Sequence, residues 1–184
     1  MRSIAIAAVA LVSAHAIGCN RSRHARVASY DEPLLPAGFV QQSGPGWSIA
    51  VPSTWRQTSQ HAPAAWAVAA PQAVDDLRAN ANVIVEPFAG DSYDYASAND
   101  AALRREPRAK VESSADTIVD RDPTLLIEAR WTPATPSSVP YRTMQSALAA
   151  RGEGYVVTCS VAESAFERYR STCESIVRSF AVER

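Results

Sequence analysis

Cysteine is the residue type in this chain with the most direct bearing on chemistry. There are three in 184 residues, Cys19, Cys159 and Cys173. In an oxidising compartment two thiols that meet form a lasting disulfide. A catalytic dithiol instead keeps its cysteines close in sequence, with one thiol pKa lowered. Cys159 and Cys173 are well separated, and each lies on an apolar face. Tyr155, Val157, Cys159 and Val161 share one side of an alternating strand. Phe166, Tyr169, Cys173, Ile176, Val177 and Phe180 recur every three or four residues, forming one stripe of a helix from about Ser164 to Ser179. Docking that helix on that strand brings the two sulfurs together, so the pair reads as a structural disulfide.

Other chemistries find little support. Nucleophilic hydrolysis needs a base beside the nucleophile, usually histidine. Once residues 1–18 are removed as an export signal, only His24 and His61 remain. The first falls in a tether, the second in a loop between short strands, and no G-x-S-x-G motif is present. Transition metals favour clusters of His and Cys, and none is visible. Asp120 with Asp122, and Asp91 with Asp94, offer the oxygen ligands calcium takes. Neither group matches an EF-hand loop, and both fit turn and helix-cap roles. No glycine-rich phosphate loop occurs. Trp47, Trp55 and Trp131 fall in or beside strands, which favours core packing over a ligand groove. Arg168, Arg170 and Arg178 read as a solvated helix face, with docking of a partner as the alternative. These residues predict no enzyme, no cofactor and no bound metal. A net charge of −1 supplies no basic field for nucleic acid.

The N-terminus sets the compartment. Arg2 precedes an apolar run from Ile4 to Val12, of signal-peptide length and too short to span a bilayer. Two cleavage readings stand. Ala14-His15-Ala16 fits ordinary secretion, which would leave a soluble periplasmic or secreted protein. Ala16-Ile17-Gly18-Cys19 fits a bacterial lipobox, although leucine usually holds the position of Ala16. Parity favours the second, because pairing Cys159 with Cys173 leaves Cys19 as the odd residue and the expected lipid site. Acyl chains such as palmitate anchor a protein by about 0.8 kcal/mol per buried methylene. Asn20 is not aspartate, which by the Gram-negative sorting rule permits outer-membrane delivery.

Three regions follow: a signal peptide at 1–18, a lipidated N-terminus and flexible tether at 19–45, and one α/β domain at 46–184. The chain is long enough for one proper core. Strands are expected at Trp47 to Val51, Trp66 to Ala70 and Asn82 to Phe88, with Gln72 to Asn80 a loop or one helical turn. A helix opens at Asp91 or Ser92 and stops before Pro107. A hairpin joins Lys110 to Val119 and Thr124 to Trp131 through Asp120-Arg121-Asp122-Pro123. Further strands run from Tyr141 to Ala150 and Tyr155 to Val161. Short connections imply one mostly antiparallel sheet of about six to seven strands flanked by helices.

The segments Trp47-Ser48-Ile49-Ala50-Val51-Pro52-x-x-Trp55, Ala81 to Glu86 (ANVIVE), Asp94 to Arg105 (DYASANDAALRR) and the closing YVVTCS…FERYRSTCESIVRSF resemble the PsbP/DcrB-like family of small exported α/β proteins. The resemblance spans about residues 46 to 183. It implies a PsbP-like fold in a family that includes photosystem extrinsic subunits, bacterial lipoproteins and secretion-system adaptors. No functional residue carries over, because the shared motifs are structural. The expected protein is a membrane-anchored lipoprotein facing the periplasm. Its domain would serve as a non-enzymatic adaptor or binding module, held by lipid on Cys19 and partnered by an envelope protein. The alternative is an exported small-ligand binder with an aromatic-lined groove.

Overall fold

The computed structural model describes residues 35–59, 63–133, 135 and 138–183. The chain forms β1 (Phe39–Gly44), β2 (Trp47–Pro52), β3 (Arg56–Gln57), β4 (Ala64–Val74), β5 (Leu77–Pro87), α1 (Ser92–Arg105), β6 (Ala109–Val119), β7 (Asp122–Trp131), β8 (Tyr141–Ala150), β9 (Glu153–Ala162), α2 (Phe166–Arg178) and β10 (Ala181–Val182). Seven strands make the main sheet in the order β3-β4-β5-β9-β8-β7-β6. Every neighbouring pair is antiparallel. The expected antiparallel sheet flanked by helices is therefore present. A second sheet, β1-β2-β10, is added to it.

Three hairpins build the main sheet, each closed by two residues with positive φ. These are Asp75-Asp76 at 50° and 64°, Asp120-Arg121 at 49° and 70°, and Arg151-Gly152 at 55° and 80°. Two left-handed residues give a turn whose twist matches the flanking strands. Aspartate tolerates that conformation better than most residues. Two expectations change here. Residues 72 to 80 are the ends of β4 and β5 and the turn between them, not a loop or helical turn. The β6–β7 turn is Asp120-Arg121 alone, and Pro123 lies within β7 opposite Ile118. The end of β4 before Asp75 is solvent-facing on both sides, and on the β5 arm only Ala79 is buried before Ala81, so there is too little alternation to read.

The tether expected over 19–45 also shortens. Phe39–Gly44 is a strand, paired along its length with β2 from Phe39 against Pro52 to Gly44 against Trp47. Its four central residues are exposed, which again hides the period. Pro71 interrupts β4 where the β4–β5 register shifts between Ala69 and Ala73, a position where a strand tolerates proline.

The main sheet is covered on both faces. On one, α2 contributes Phe166, Cys173, Ile176 and Val177, and β2 contributes Trp47, Ile49 and Val51. They pack on Val83, Tyr155, Val157, Cys159 and Val161. On the other face, Tyr95, Ala96 and Leu103 of α1 pack on Leu125, Ile127, Ala129, Trp131, Ala147 and Val156. Asp91 caps α1 by accepting from the Asp94 amide at 2.8 Å. Ser92 ties the start of that helix to the sheet: its hydroxyl donates to Asp122 at 2.9 Å and accepts from the Ala149 amide at 2.9 Å. At the far end, β10 pairs with β2, and the Val182 amide donates to the Asp120 carboxylate at 3.0 Å.

Candidate functional site

The central strands carry polar side chains where a sheet covered on both sides would be expected to carry apolar ones. Register places Asn82 of β5, Thr158 of β9 and Gln145 of β8 side by side. The next row holds Asn80, Ser160 and Thr143. Cross-strand neighbours sit about 5 Å apart on one face. This face also bears α1, since Ile127 pairs with Gln145 and Ala129 with Thr143. β4 extends the rows with Ala67 and Ala69. From the helix, Asn99 lies on the buried stripe with Tyr95 and Leu103.

Asn82, Asn99, Gln145 and Thr143 are each more than nine-tenths buried. The Thr158 hydroxyl donates to Gln145 Oε1 at 3.2 Å, and Trp131 Nε1 donates to Thr143 at 3.1 Å. Asn82 Oδ1, Asn99 Nδ2 and Gln145 Nε2 have no partner among the described residues. An unmatched buried polar group costs about 1–3 kcal/mol. The sequence held a signal for this band. Val156, Thr158 and Ser160 alternate onto the strand face opposite Cys159, and Asn99 falls on the same helical side as Tyr95 and Leu103. Only the two-sided burial of β9 makes the polar residues unusual.

The remaining sequence candidates are mostly in structural roles. Cys159 and Cys173 are bonded, with S–S 2.06 Å and Cα–Cα 5.3 Å. Both are fully buried, on the central strand and the inner stripe of α2. Asp91, Asp120 and Asp122 accept the cap and tie bonds described above. Trp47, Trp55 and Trp131 are buried in the two cores, as the strand context predicts. Among the described residues, no group of His, Cys, Asp and Glu is arranged to hold a metal ion, and no helix is long and apolar enough to cross a membrane. Cys19, His24 and His61, with residues 1–18, lie outside the described residues.

The arginine face is more than a solvated surface. Arg170 donates to Glu167 at 3.0 Å and to Glu128 of β7 at 2.6 Å. Arg142 of β8 pairs with the same Glu128. The guanidinium carbons of Arg142 and Arg170 lie 4.0 Å and 4.7 Å from the centre of the Phe166 ring. Arg178 bonds Glu174 and Thr117, and Arg168 lies over Tyr169. The cluster around Glu128 fastens α2 to the sheet. Its components were invisible as a set, because Glu128 and Arg142 stand on different strands.

Buried tyrosines give a test of this packing. Burial raises Tyr141 and Tyr155 to about 12. Burial, reinforced by donation to Glu86 at 2.8 Å, pushes Tyr95 higher still. In the unfolded chain these phenols ionise near pH 10. The folded state holds its protons longer, so this stability is present below pH 10 and lost as pH rises through the raised values. Urea midpoints measured from pH 8 upward should stay level and then fall steeply beyond about pH 10. Tyr95→Phe should flatten that fall. An unchanged slope in the variant would show that Tyr95 does not titrate with unfolding.

No protein-family model matches the chain, and no curated protein matches it. Solved structures do. Cyanobacterial PsbP (CyanoP) from Synechocystis superposes with a TM-score of 0.55 at 16% identity, over 80% of this chain and 94% of that one. LpqN, described as involved in cell envelope biogenesis of Mycobacterium tuberculosis, superposes with a TM-score of 0.58 at 13% identity, over 79% and 90%. A Bacteroides thetaiotaomicron protein superposes with a TM-score of 0.52 at 12% identity, and there the chain spans 48% of the other's length. On these superpositions the chain has the PsbP-like fold.

Proposed function

We propose that this chain is an exported, envelope-associated binding module without catalytic activity, held at the membrane by lipid on Cys19. The observation that carries the reading is the Cys159–Cys173 bond. It occupies two of the three cysteines and leaves Cys19 beside an export-signal pattern. A buried disulfide suits an oxidising compartment. The likeness to LpqN, itself described as acting in envelope biogenesis, supports the same setting. The partner in this reading is an envelope component engaged by the folded domain, with the outer membrane the favoured location and a soluble periplasmic protein the alternative.

Native protein should carry acyl mass on Cys19 and show no free thiol when denatured without reductant. Cys19→Ala should move the protein from the membrane to the soluble fraction while leaving its thermal midpoint unchanged. Unmodified Cys19 in native protein, or membrane retention of Cys19→Ala, would overturn the anchor. Pull-down from detergent-solubilised envelopes tests the module itself, and failure to recover a specific envelope component would count against it.

A second reading, binding of a small ligand, is favoured by the buried polar band rather than by the tryptophans, which are packed in the cores.

A further inference from the structure

We infer that the polar band beside α1 binds hydroxyl groups of a neutral, polyhydroxylated ligand, either free or carried on a lipid. The inference rests on the binding-module reading above and names the ligand chemistry of that module. It starts from the unmatched atoms. Gln145 Nε2 and Asn99 Nδ2 are donors, and Asn82 Oδ1 is an acceptor. A hydroxyl offers one O–H and two lone pairs, so hydroxyl groups complement both kinds of atom.

Register supports a shared site. Asn82 and Gln145 flank Thr158 on adjacent strands of one face. The Thr158 hydroxyl fixes Gln145 by donating to its Oε1 at 3.2 Å, which leaves the amide nitrogen of Gln145 for another partner. The second row supplies Asn80 and Ser160, both only partly buried, so the polar surface leads outward from the sealed centre. Neither row contains a charged side chain on β5, β9 or β8, which disfavours an ionic ligand. Ala67 and Ala69 continue the rows on β4 and offer methyl groups to the C–H surface of a polyol.

Energetics point the same way. The opposite face of these strands is filled by Val83, Val157 and Cys159, so the sheet accepts apolar residues at this depth. Apolar replacement of a buried polar group that leaves no partner stranded is often neutral or stabilising. Retaining three carboxamides that each carry one unmatched atom therefore sacrifices stability, as binding sites commonly do.

The test uses the full chain with glycerol, myo-inositol, methyl glucoside, maltose and octyl glucoside below its micellar concentration. Binding is read by calorimetry and by side-chain amide resonances. At least one of these should bind wild type and shift Asn and Gln side-chain amide signals. Affinity should fall about tenfold or more, equivalent to about 1.4 kcal/mol, in Asn82→Leu and in Gln145→Leu. Asn82→Leu should be as stable as wild type or more so, whereas Gln145→Leu should be somewhat less stable because it strands the buried Thr158 hydroxyl. Should either misfold, Asn99→Ala on the helix takes its place. A preference for octyl over methyl glucoside identifies a lipid-borne ligand; the reverse identifies a free one. No binding by any probe, with Asn82→Leu at least as stable as wild type, means the band holds water only and overturns the inference. Undiminished binding in the variants overturns it too. Membrane fractionation of Cys19→Ala is independent of both results, so a failed site and a failed anchor are told apart.

Discussion

Glu128→Ala is expected to destabilise the folded domain by about 3 kcal/mol, at the lower end of the range for breaking a buried ion pair. The Glu128 side chain is 8% exposed and neutralises both Arg142 and Arg170. Removing it leaves two guanidinium groups beside the same Phe166 ring. Arg142, at 19% exposure, has little access to water, and its Nε already lacks a partner among the described residues. Arg170 is 42% exposed and retains Glu167, so it can turn outward, which keeps the cost from the upper end. Glu128→Gln preserves the shape and one acceptor and should lose less than the alanine variant. Chemical denaturation gives both values. A double variant, Glu128→Ala with Arg142→Met, should recover part of the loss, because the orphaned charge is then gone. A cost of only a few tenths of a kcal/mol for Glu128→Ala would mean the cluster behaves as a surface ion pair and does not fasten α2.

Breaking the disulfide should cost a similar amount by a different route. Cys159 and Cys173 are 14 residues apart in sequence. Closing a loop of that size removes enough unfolded-chain entropy to contribute about 3 kcal/mol. For a domain of this size that corresponds to a drop of roughly 10 °C in thermal midpoint. Cys159→Ala with Cys173→Ala should show this drop in calorimetry. Each single variant should fall at least as far, since it leaves a lone thiol in the core. Reductant should affect wild type only slowly under native conditions, because both sulfurs are fully buried, and should leave the double variant unchanged. Equal midpoints for wild type and double variant would show that packing alone holds α2 on β9.

These two tests bear on the same helix, which is joined to the sheet at separate points. The disulfide pins the middle of α2 to the central strand. The Glu128 cluster holds its first turns over β7 and β8. At its C-terminal end, Ser179 accepts from the Ala50 amide of the small sheet at 2.9 Å. The α2 side of the sheet is thus stapled at several places. The α1 side, where the polar band lies, is joined to the sheet through Ser92 and through Tyr95, which donates to Glu86.

Local pattern determined a large part of this molecule. The 3.6-residue stripe from Phe166 to Phe180 marked α2, and alternation from Tyr155 to Val161 marked β9. Together they placed Cys159 and Cys173 on facing surfaces. Asp91, Pro107 and the terminal arginines bounded α1. Each of these signals is carried by residues close together in sequence, so no knowledge of the fold was needed. Exposed strands were illegible for the opposite reason. The middle of β1 and the tip of the β4–β5 hairpin are exposed on both faces, and without burial there is no period.

Tertiary structure alone decided the rest. Strand order put β9 at the centre of seven strands, between β5 and β8. That position buries both faces, so Thr158, unremarkable on a half-exposed strand, becomes a sealed hydroxyl between two carboxamides. The same ordering sets Asn82 and Gln145 on either side of Thr158, from strands distant in sequence, and brings Glu128, Arg142 and Arg170 together beside one aromatic ring. Hydrogen bonds and ion pairs act over a few ångströms, and only pairing register sets which residues come that close. Sequence determined the cysteine pair and the fold, while register decided where unmatched polar groups accumulate.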